Sequence, residues 1–145
     1  MSLLTGEYKH QLDAKNRIRI PARLKKELGD DYCFAKGDHH CLYVYPQSEM
    51  EAKLEAAKQT KISDIEKQRN LRAFMRTITP AVEDGQGRIV LNPELREHLA
   101  FEKNEKDIVV IGVGDRAEIW SKSNYEQYFD GVSDNYDGVI ANLDF

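Results

Sequence analysis

The sequence lacks the features that mark secreted and membrane proteins. Its 145 residues include only two cysteines, Cys33 and Cys41, so no disulfide framework is expected and the thiols fit a reducing compartment. The longest apolar run, residues 108–113, is far shorter than the roughly 20 residues that a membrane-spanning helix needs. The N-terminus has no basic segment followed by an apolar stretch. We therefore expect a cytoplasmic protein without a membrane partner.

The sequence also has few of the motifs that carry catalysis or bind metals. It contains neither a Walker-type loop nor a nucleophile elbow, and the glycines of residues 112–115 lack the further glycine that dinucleotide binding needs. Cys33, His39, His40 and Cys41 fall in one predicted hairpin, but their spacing is not that of a zinc site. We predict that the protein is not an enzyme and has no catalytic residues, cofactor or metal.

Charge is distributed unevenly along the chain. The net charge of −4 and the pI of about 5.6 argue, taken alone, against a nucleic-acid partner. Residues 1–28, however, hold seven basic and three acidic residues, a net charge of +4. Residues 130–145 hold four aspartates and no basic residue. A polyanionic partner would therefore meet the N-terminal part of the chain.

The chain contains one unit twice. At an offset of 71 the matching pairs are Asp13 with Asp84, Arg17 with Arg88, Ile18 with Ile89, Leu24 with Leu95 and Leu28 with Leu99. Each copy predicts a polar turn containing the aspartate, a short strand with period-two apolar residues, a short helix and a β-hairpin. The predicted hairpins pair residues 32–36 with 41–45 and residues 108–112 with 118–120.

These repeats predict the α+β class and four segments. A copy of about 45 residues buries too little surface to be stable alone, so the two should share one pseudo-two-fold β core. Residues 5–48 form repeat 1, residues 49–76 a helical linker, residues 77–123 repeat 2, and residues 124–145 a short helix and an acidic tail. Within the linker we predict two antiparallel helices, about 48–59 and 63–76, with capping boxes at Ser48 and Ser63. After Asp130 we expect a frayed tail.

The doubled Asp-x-x-x-Arg motif carries the functional prediction. One such motif is usually structural, because aspartate stabilises turns and the arginine can pair with it. Two equivalent arginines on a pseudo-two-fold surface suit duplex DNA. The predicted DNA-binding residues are the two motifs and the basic residues near them: Asp13, Lys15, Arg17, Arg19, Arg23, Lys25, Lys26, Asp84, Arg88 and Arg96. The aspartates should position the arginines, and the first copy should make most of the contact with DNA. For Lys25 and Lys26, a solvated helix face without a binding role is an equally good interpretation.

The motifs together resemble those of one known family. In chain order they are Gly6-Glu7-Tyr8, Leu12-Asp13-Ala14-Lys15-Asn16-Arg17, Ile20-Pro21-Ala22 and Asp84-Gly85-Gln86-Gly87-Arg88. Over residues 5–130 the chain resembles the MraZ family of bacterial transcriptional regulators, tandem relatives of the AbrB/SpoVT DNA-binding domains. One departure is Asn16, where the family usually has glycine; asparagine is the residue after glycine that best tolerates a left-handed backbone.

The resemblance implies both a fold and a function. The fold would be a swapped-hairpin, double-split β-barrel built from two repeats, and the chains would assemble into a homo-oligomeric ring. The function would be transcriptional regulation of the division and cell-wall gene cluster at the nucleoid, through repeated promoter boxes on double-stranded DNA. The alternative from another class is a protein-interaction scaffold with incidental DNA affinity, which the acidic pI favours.

Overall fold

Both repeats contribute strands to the fold. The computed structural model describes residues 3–59, 61 and 63–145, so Thr60 and Ile62 of the predicted linker lie outside the described residues. Repeat 1 supplies β1 (Glu7–Gln11), β2 (Arg17–Ile18), β3 (Tyr32–Lys36) and β4 (Leu42–Pro46). Repeat 2 supplies β5 (Thr79–Pro80), β6 (Ile89–Val90), β7 (Asp107–Gly112) and β8 (Ala117–Ser121). The predicted hairpins are confirmed as β3–β4 and β7–β8.

Within the described residues, six α-helices connect or cover the strands. They are α1 (Ala22–Leu28), α2 (Gln47–Ala57), α3 (Ile65–Met75), α4 (Pro93–His98), α5 (Lys122–Tyr128) and α6 (Tyr136–Asn142). None of the described helices is long and apolar enough to cross a membrane. The fold is therefore of the predicted α+β class, with antiparallel strands throughout.

The two repeats exchange strands in one six-stranded sheet. Its order is β1-β7-β8-β4-β3-β5. The first strand of repeat 1 pairs with the hairpin of repeat 2, and β5 of repeat 2 pairs with the hairpin of repeat 1. Exchanging each strand for its counterpart in the other repeat (β1 for β5, β3 for β7 and β4 for β8) gives the same order read from the opposite edge. This is the pseudo-two-fold relationship predicted from the sequence. Each repeat thus completes the sheet of the other.

The closed double-split barrel that the resemblance implies is not what the structure has. In the described residues the sheet is open, because its edge strands β1 and β5 do not pair with each other. β5 ends after two residues at Pro80, which has no N–H to extend the ladder. β2 and β6 form a separate two-stranded sheet, which we call the ribbon. Helices follow these strands closely: Pro21 directly precedes α1, and Pro93 is the first residue of α4.

The ribbon packs on one face of the sheet, called here the inner face. Ile18 and Ile89 are 3% and 2% exposed, and they lie in the largest apolar cluster with Val44, Val110 and Ile119 of the sheet. The outer face is covered by helices. On it α2 and α3 cover one cluster around Cys33 and Tyr45, and α5 covers another around Val109 and Trp120. The aspartate turns are thereby held at the ends of a ribbon whose other side is in the core.

Helix ends differ from the predicted capping boxes. α2 begins after Pro46 without a side-chain cap, so the box at Ser48 is wrong. α3 is capped by Asp64, whose carboxylate accepts the N–H of Lys67, and not by Ser63. The tail is not frayed, since residues 133–142 form a 3-10 turn and α6. Asn135, one of the polar residues that suggested disorder, instead caps α6 by accepting the N–H of Gly138.

Candidate nucleic-acid interface

Asp13 organises the turn that leads into β2. Its Oδ1 accepts the backbone N–H groups of Lys15 and Arg17, both at 2.9 Å. Its Oδ2 accepts the Nε–H of Arg17 at 2.7 Å. The backbone N–H of Asn16 donates to the carbonyl of Asp13 at 3.0 Å and closes the turn. One carboxylate therefore fixes both the turn and the guanidinium that follows it.

Asp84 forms the same turn in repeat 2. Its Oδ1 accepts the N–H groups of Gln86 and Arg88 at 2.8 and 2.9 Å, and its Oδ2 accepts the Nε–H of Arg88 at 2.8 Å. Gly87 has φ of 76°, and Asn16 at the corresponding position has φ of 59°. Both values are left-handed, so asparagine preserves the turn in repeat 1.

The aspartates are ionised under all physiological conditions. The backbone N–H of Arg88 is the main cause that lowers the pKa of Asp84 to about 2. The backbone N–H of Arg17 likewise lowers the pKa of Asp13 below its usual value. Both shifts arise because the hydrogen bonds favour the charged carboxylate. The bond to each arginine is therefore charge-assisted, which shortens and strengthens it.

The ribbon places three arginines on one solvent-facing surface. Arg17 lies opposite Val90, and Ile18 lies opposite Ile89. Alternate residues of a strand point to opposite faces, so with both isoleucines in the core Arg17 and Val90 face solvent. Arg19, one residue after Ile18, and Arg88, one residue before Ile89, share that face by the same alternation. The Nε–H of Arg19 donates to the carbonyl of Gln86 at 3.1 Å. The surface of Arg17, Arg19, Arg88 and Val90 is called here the arginine face.

The arginines on this face keep donors available. Within the described residues, the hydrogen bonds of the Arg17 and Arg88 side chains use Nε, and the terminal amino groups have no protein partner. Their side chains are 21% and 28% exposed. A guanidinium held by Nε, with its two terminal amino groups available, can bind a phosphate oxygen or the O6/N7 edge of guanine.

The other predicted residues separate into two groups. Lys15, Arg23 and Lys26 are exposed near the ribbon or on α1. Lys25 instead donates to the carbonyl of Gly29 at 2.9 Å and lies 3.3 Å from the Asp30 carboxylate. Arg96, its counterpart in repeat 2, donates to the carbonyl of Leu91 at 2.6 Å. The structure therefore engages Lys25 and Arg96 in intramolecular hydrogen bonds.

Lys106 is a basic residue near the site that the sequence analysis missed. Its Nζ lies 3.3 Å from the side-chain oxygen of Asn16, and its carbonyl accepts the N–H of Leu12 at 2.9 Å. Lys106 belongs to the other repeat and precedes β7, so only the pairing of β1 with β7 brings it to the first turn. Nothing in the local sequence around either residue indicates this approach.

A cluster of possible metal ligands is already occupied by protein groups. Asp38, Cys41 and Glu118 have ligand atoms within 4.8 Å of one another, a set different from the Cys/His cluster considered above. Glu118 accepts from Arg116 at 2.7 Å and from the indole N–H of Trp120 at 3.2 Å. Burial raises the pKa of Cys41 well above its usual value. A thiol kept protonated beside a guanidinium is a poor site for a cation.

Comparison with known proteins identifies the family. The family model for the MraZ protein matches the chain twice, over residues 3–73 and 74–137. The chain belongs to the MraZ family. The two matches correspond to the two repeats that exchange strands in the sheet.

Full-length relatives agree with this assignment. The protein named "Transcriptional regulator MraZ" from Carboxydothermus hydrogenoformans is 36% identical, with 97% of this chain and 96% of the relative aligned. Its namesake from Thermoanaerobacter sp. strain X514 is 40% identical over 98% and 97% of the two chains. That from Moorella thermoacetica is 39% identical over 97% and 96%. MraZ relatives thus match the chain over nearly its whole length.

Proposed function

We propose that the protein is a sequence-specific transcriptional regulator that binds double-stranded DNA through the arginine face. The observation that carries this proposal is the pair of aspartate-held guanidiniums, Arg17 and Arg88, on one exposed two-stranded ribbon with Arg19 beside them. A two-stranded ribbon fits the major groove, where an arginine can recognise guanine by two hydrogen bonds. The names of the MraZ relatives support a regulatory role.

The residues take different roles in this proposal. Arg17 and Arg88 contact base edges, and Asp13 and Asp84 hold them without touching the DNA, since a carboxylate repels phosphate. Phosphate contacts come from Lys15, Arg19, Arg23, Lys26 and Lys106. Lys25 and Arg96, which are engaged in intramolecular hydrogen bonds, add positive charge. The site acts without a catalytic residue or cofactor, because binding alone can regulate transcription.

Assembly explains how a chain of net charge −4 can bind a polyanion. Apolar side chains of α6 and the residues after it are exposed, among them Tyr136 at 64% and Leu143 at 55%, and they offer a contact surface for a second copy. In a ring, the arginine faces of several copies would engage repeated promoter boxes together and raise avidity. The targets we propose are boxes upstream of the division and cell-wall gene cluster, bound at the nucleoid in the cytoplasm.

The test measures binding of Arg17→Ala to the DNA upstream of the protein's own gene, against a scrambled fragment, at several salt concentrations. We expect Arg17→Ala to lose roughly tenfold or more in affinity for the specific fragment, the usual worth of a good arginine–guanine contact. Arg72→Ala is the matched control, because Arg72 is exposed on α3. Wild-type affinity and salt dependence in folded Arg17→Ala would contradict the assigned role.

The same experiment separates the regulator from the scaffold alternative. A regulator binds the upstream fragment more tightly than the scrambled one, because base contacts add to the phosphate term. A scaffold with incidental DNA affinity retains both fragments equally and weakly. Equal retention by the wild-type protein would therefore reject the proposed function as a whole.

A further inference from the structure

Two exposed valines lie beside the second aspartate turn. Val90 is 60% exposed and Val82 is 75% exposed. They line one groove together with Asp84 and Arg88. Single exposed apolar residues are ordinary on protein surfaces. Two exposed valines in the same groove as the Arg88 guanidinium favour a ligand that has an apolar part.

The position of Val90 is set by the ribbon. Ile89 must enter the core, so Val90 faces solvent, directly opposite Arg17. Cβ atoms of such opposite residues are about 5 Å apart. The corresponding residue of repeat 1 is Arg19, and Val82 corresponds to Gln11. The two halves of the interface therefore differ in chemistry: that of repeat 1 is polar and basic, and that of repeat 2 has an apolar patch.

We infer that Val90, supported by Val82, recognises the 5-methyl group of thymine in the major groove, next to the bases that Arg17 and Arg88 contact. This inference rests on the proposed DNA-binding function and names a specificity-determining residue within it. Thymine is the one base that presents a methyl group in that groove, and apolar side chains are the groups that contact it. Because successive base pairs rise by about 3.4 Å, a separation of about 5 Å places the thymine one or two pairs from the arginine contact.

Charge complementarity favours DNA over an apolar protein partner on this patch. Arg17, Arg19 and Arg88 surround Val90 on the arginine face. A protein surface apolar enough to cover Val90 would also desolvate these guanidiniums, and burying unpaired charges is costly. The major groove offers the valine a methyl group and offers the arginines guanine oxygens and phosphates at the same time.

The experiment removes only the methyl groups from the DNA. Duplexes are selected from a randomised pool with the wild-type protein. Each selected duplex is then resynthesised as a series in which one thymine at a time is replaced by uracil. For at least one of these positions, we expect the wild-type protein to bind the uracil duplex about fourfold more weakly than the thymine duplex, which is the effect of one buried methyl group. Val90→Ala should bind the thymine and uracil duplexes equally, at about the affinity of wild type for uracil. Val82→Ala should reduce the ratio in part.

Val132→Ala is the matched control. Val132 is 41% exposed and follows α5, and α5 covers the face of the sheet opposite the ribbon. The Val132→Ala protein should keep the wild-type ratio of affinities for thymine and uracil duplexes. Equal binding of thymine and uracil duplexes by the wild-type protein would overturn methyl recognition while leaving DNA binding intact. A wild-type ratio in folded Val90→Ala would assign the recognition to another residue and overturn the role of Val90. Failure to enrich any sequence from the pool would overturn the proposed function, and this inference with it.

Discussion

The carboxylate of Asp13 accepts the Nε–H of Arg17 at 2.7 Å, and repeat 2 reproduces this pair with Asp84 and Arg88 at 2.8 Å. Both pairs are partly exposed, and ion pairs of that kind contribute little to stability. Their importance lies in geometry, because each bond uses Nε and leaves the terminal amino groups of the arginine available. In the proposed DNA-binding site, an acidic residue thus contributes by holding the cation in place.

Asp13→Asn should reduce specificity more than it reduces affinity. The amide oxygen can still accept the backbone N–H groups of the turn, but the charge-assisted bond that orients Arg17 is lost. We expect the preference for specific over scrambled DNA to fall roughly tenfold, the scale of one base contact. Affinity for scrambled DNA should hold or rise, because a negative charge near the phosphates is removed.

Competition binding with both fragments measures this ratio. Asp130→Asn is the control, since Asp130 is an exposed aspartate just after α5 and far along the chain from both motifs. An Asp13→Asn protein that keeps the wild-type preference would show that the arginine does not need its carboxylate.

The turn of Asp84 should contribute to stability with a defined pH dependence. Its pKa is lowered to about 2 in the folded protein, against about 3.9 in an unfolded chain. A lowered carboxylate pKa stabilises the fold above the unfolded value, and this contribution is lost as the pH falls through the folded value. The urea midpoint of wild type should exceed that of Asp84→Asn by a constant amount from pH 5 to 8.

That difference should close between about pH 4 and pH 2. Trp120, buried on the outer face of the sheet, provides the fluorescence signal for the titration. Effects of other carboxylates are common to both proteins and cancel in the comparison. A gap that changed between pH 6 and 8 would point to a different group.

The local parts of the fold could be predicted from the sequence. The Asp13 and Asp84 turns depend on residues within four positions of each other. The two hairpins depend on alternating apolar and polar residues in strands that are close in sequence. Such patterns are local, so a single sequence carries them. Asn92 as the cap of α4 follows in the same way from an asparagine–proline pair.

Long-range pairing was not determined by the residue pattern. β1 and β5 alternate in the same way whichever hairpin they join, and only the family resemblance implied exchange between the repeats. The approach of Lys106 to Asn16 depends on that exchange, which is why it was missed. The contrast between basic Arg19 and apolar Val90, at corresponding positions of the two repeats, likewise depends on the ribbon pairing that puts them on one face.

Leu91→Ala should strongly destabilise the protein. Leu91 is fully buried in the cluster that both repeats share, directly after the ribbon strand β6. Truncating a buried leucine costs about 2–5 kcal/mol, because the cavity is only partly refilled. Val82→Ala, at an exposed position, should change the free energy of unfolding by less than about 0.5 kcal/mol. Urea unfolding of both variants checks this, and equal effects would mean that Leu91 is not packed in the shared core.

Substitutions at Gly87 should separate backbone strain from crowding. Apart from its two neighbours in the chain, no described atom lies within 4 Å of a Cβ placed at this glycine, so the cost of adding a Cβ comes from its φ of 76°. We expect Gly87→Ala to lose about 1–2 kcal/mol of stability, the usual cost of a left-handed alanine. Gly87→Asn should cost less, since Asn16 adopts this conformation in repeat 1. Equal losses in the two variants would contradict this account.

Arg116→Met should be among the most damaging changes on the outer face of the sheet. Arg116 donates to Glu118 through Nε and Nη2 at 3.1 and 2.7 Å, and its guanidinium lies 4.2 Å from the centre of the Tyr43 ring. Glu118 is only 6% exposed, so removing its partner leaves a buried charge. The expected loss is about 3 kcal/mol, the lower end of the range for breaking a buried ion pair, because Arg116 itself is partly exposed.

The double variant Arg116→Met/Glu118→Leu should recover most of that loss, because an apolar pair replaces the ion pair without an orphaned charge. The indole N–H of Trp120 then loses its acceptor at 3.2 Å, so recovery should stop short of wild type by about 1 kcal/mol. Arg72→Met on α3 controls for the loss of a surface arginine. Urea unfolding of the three variants gives the coupling energy. If the double variant were less stable than Arg116→Met, the damage would come from lost packing on Tyr43 rather than from the unpaired carboxylate.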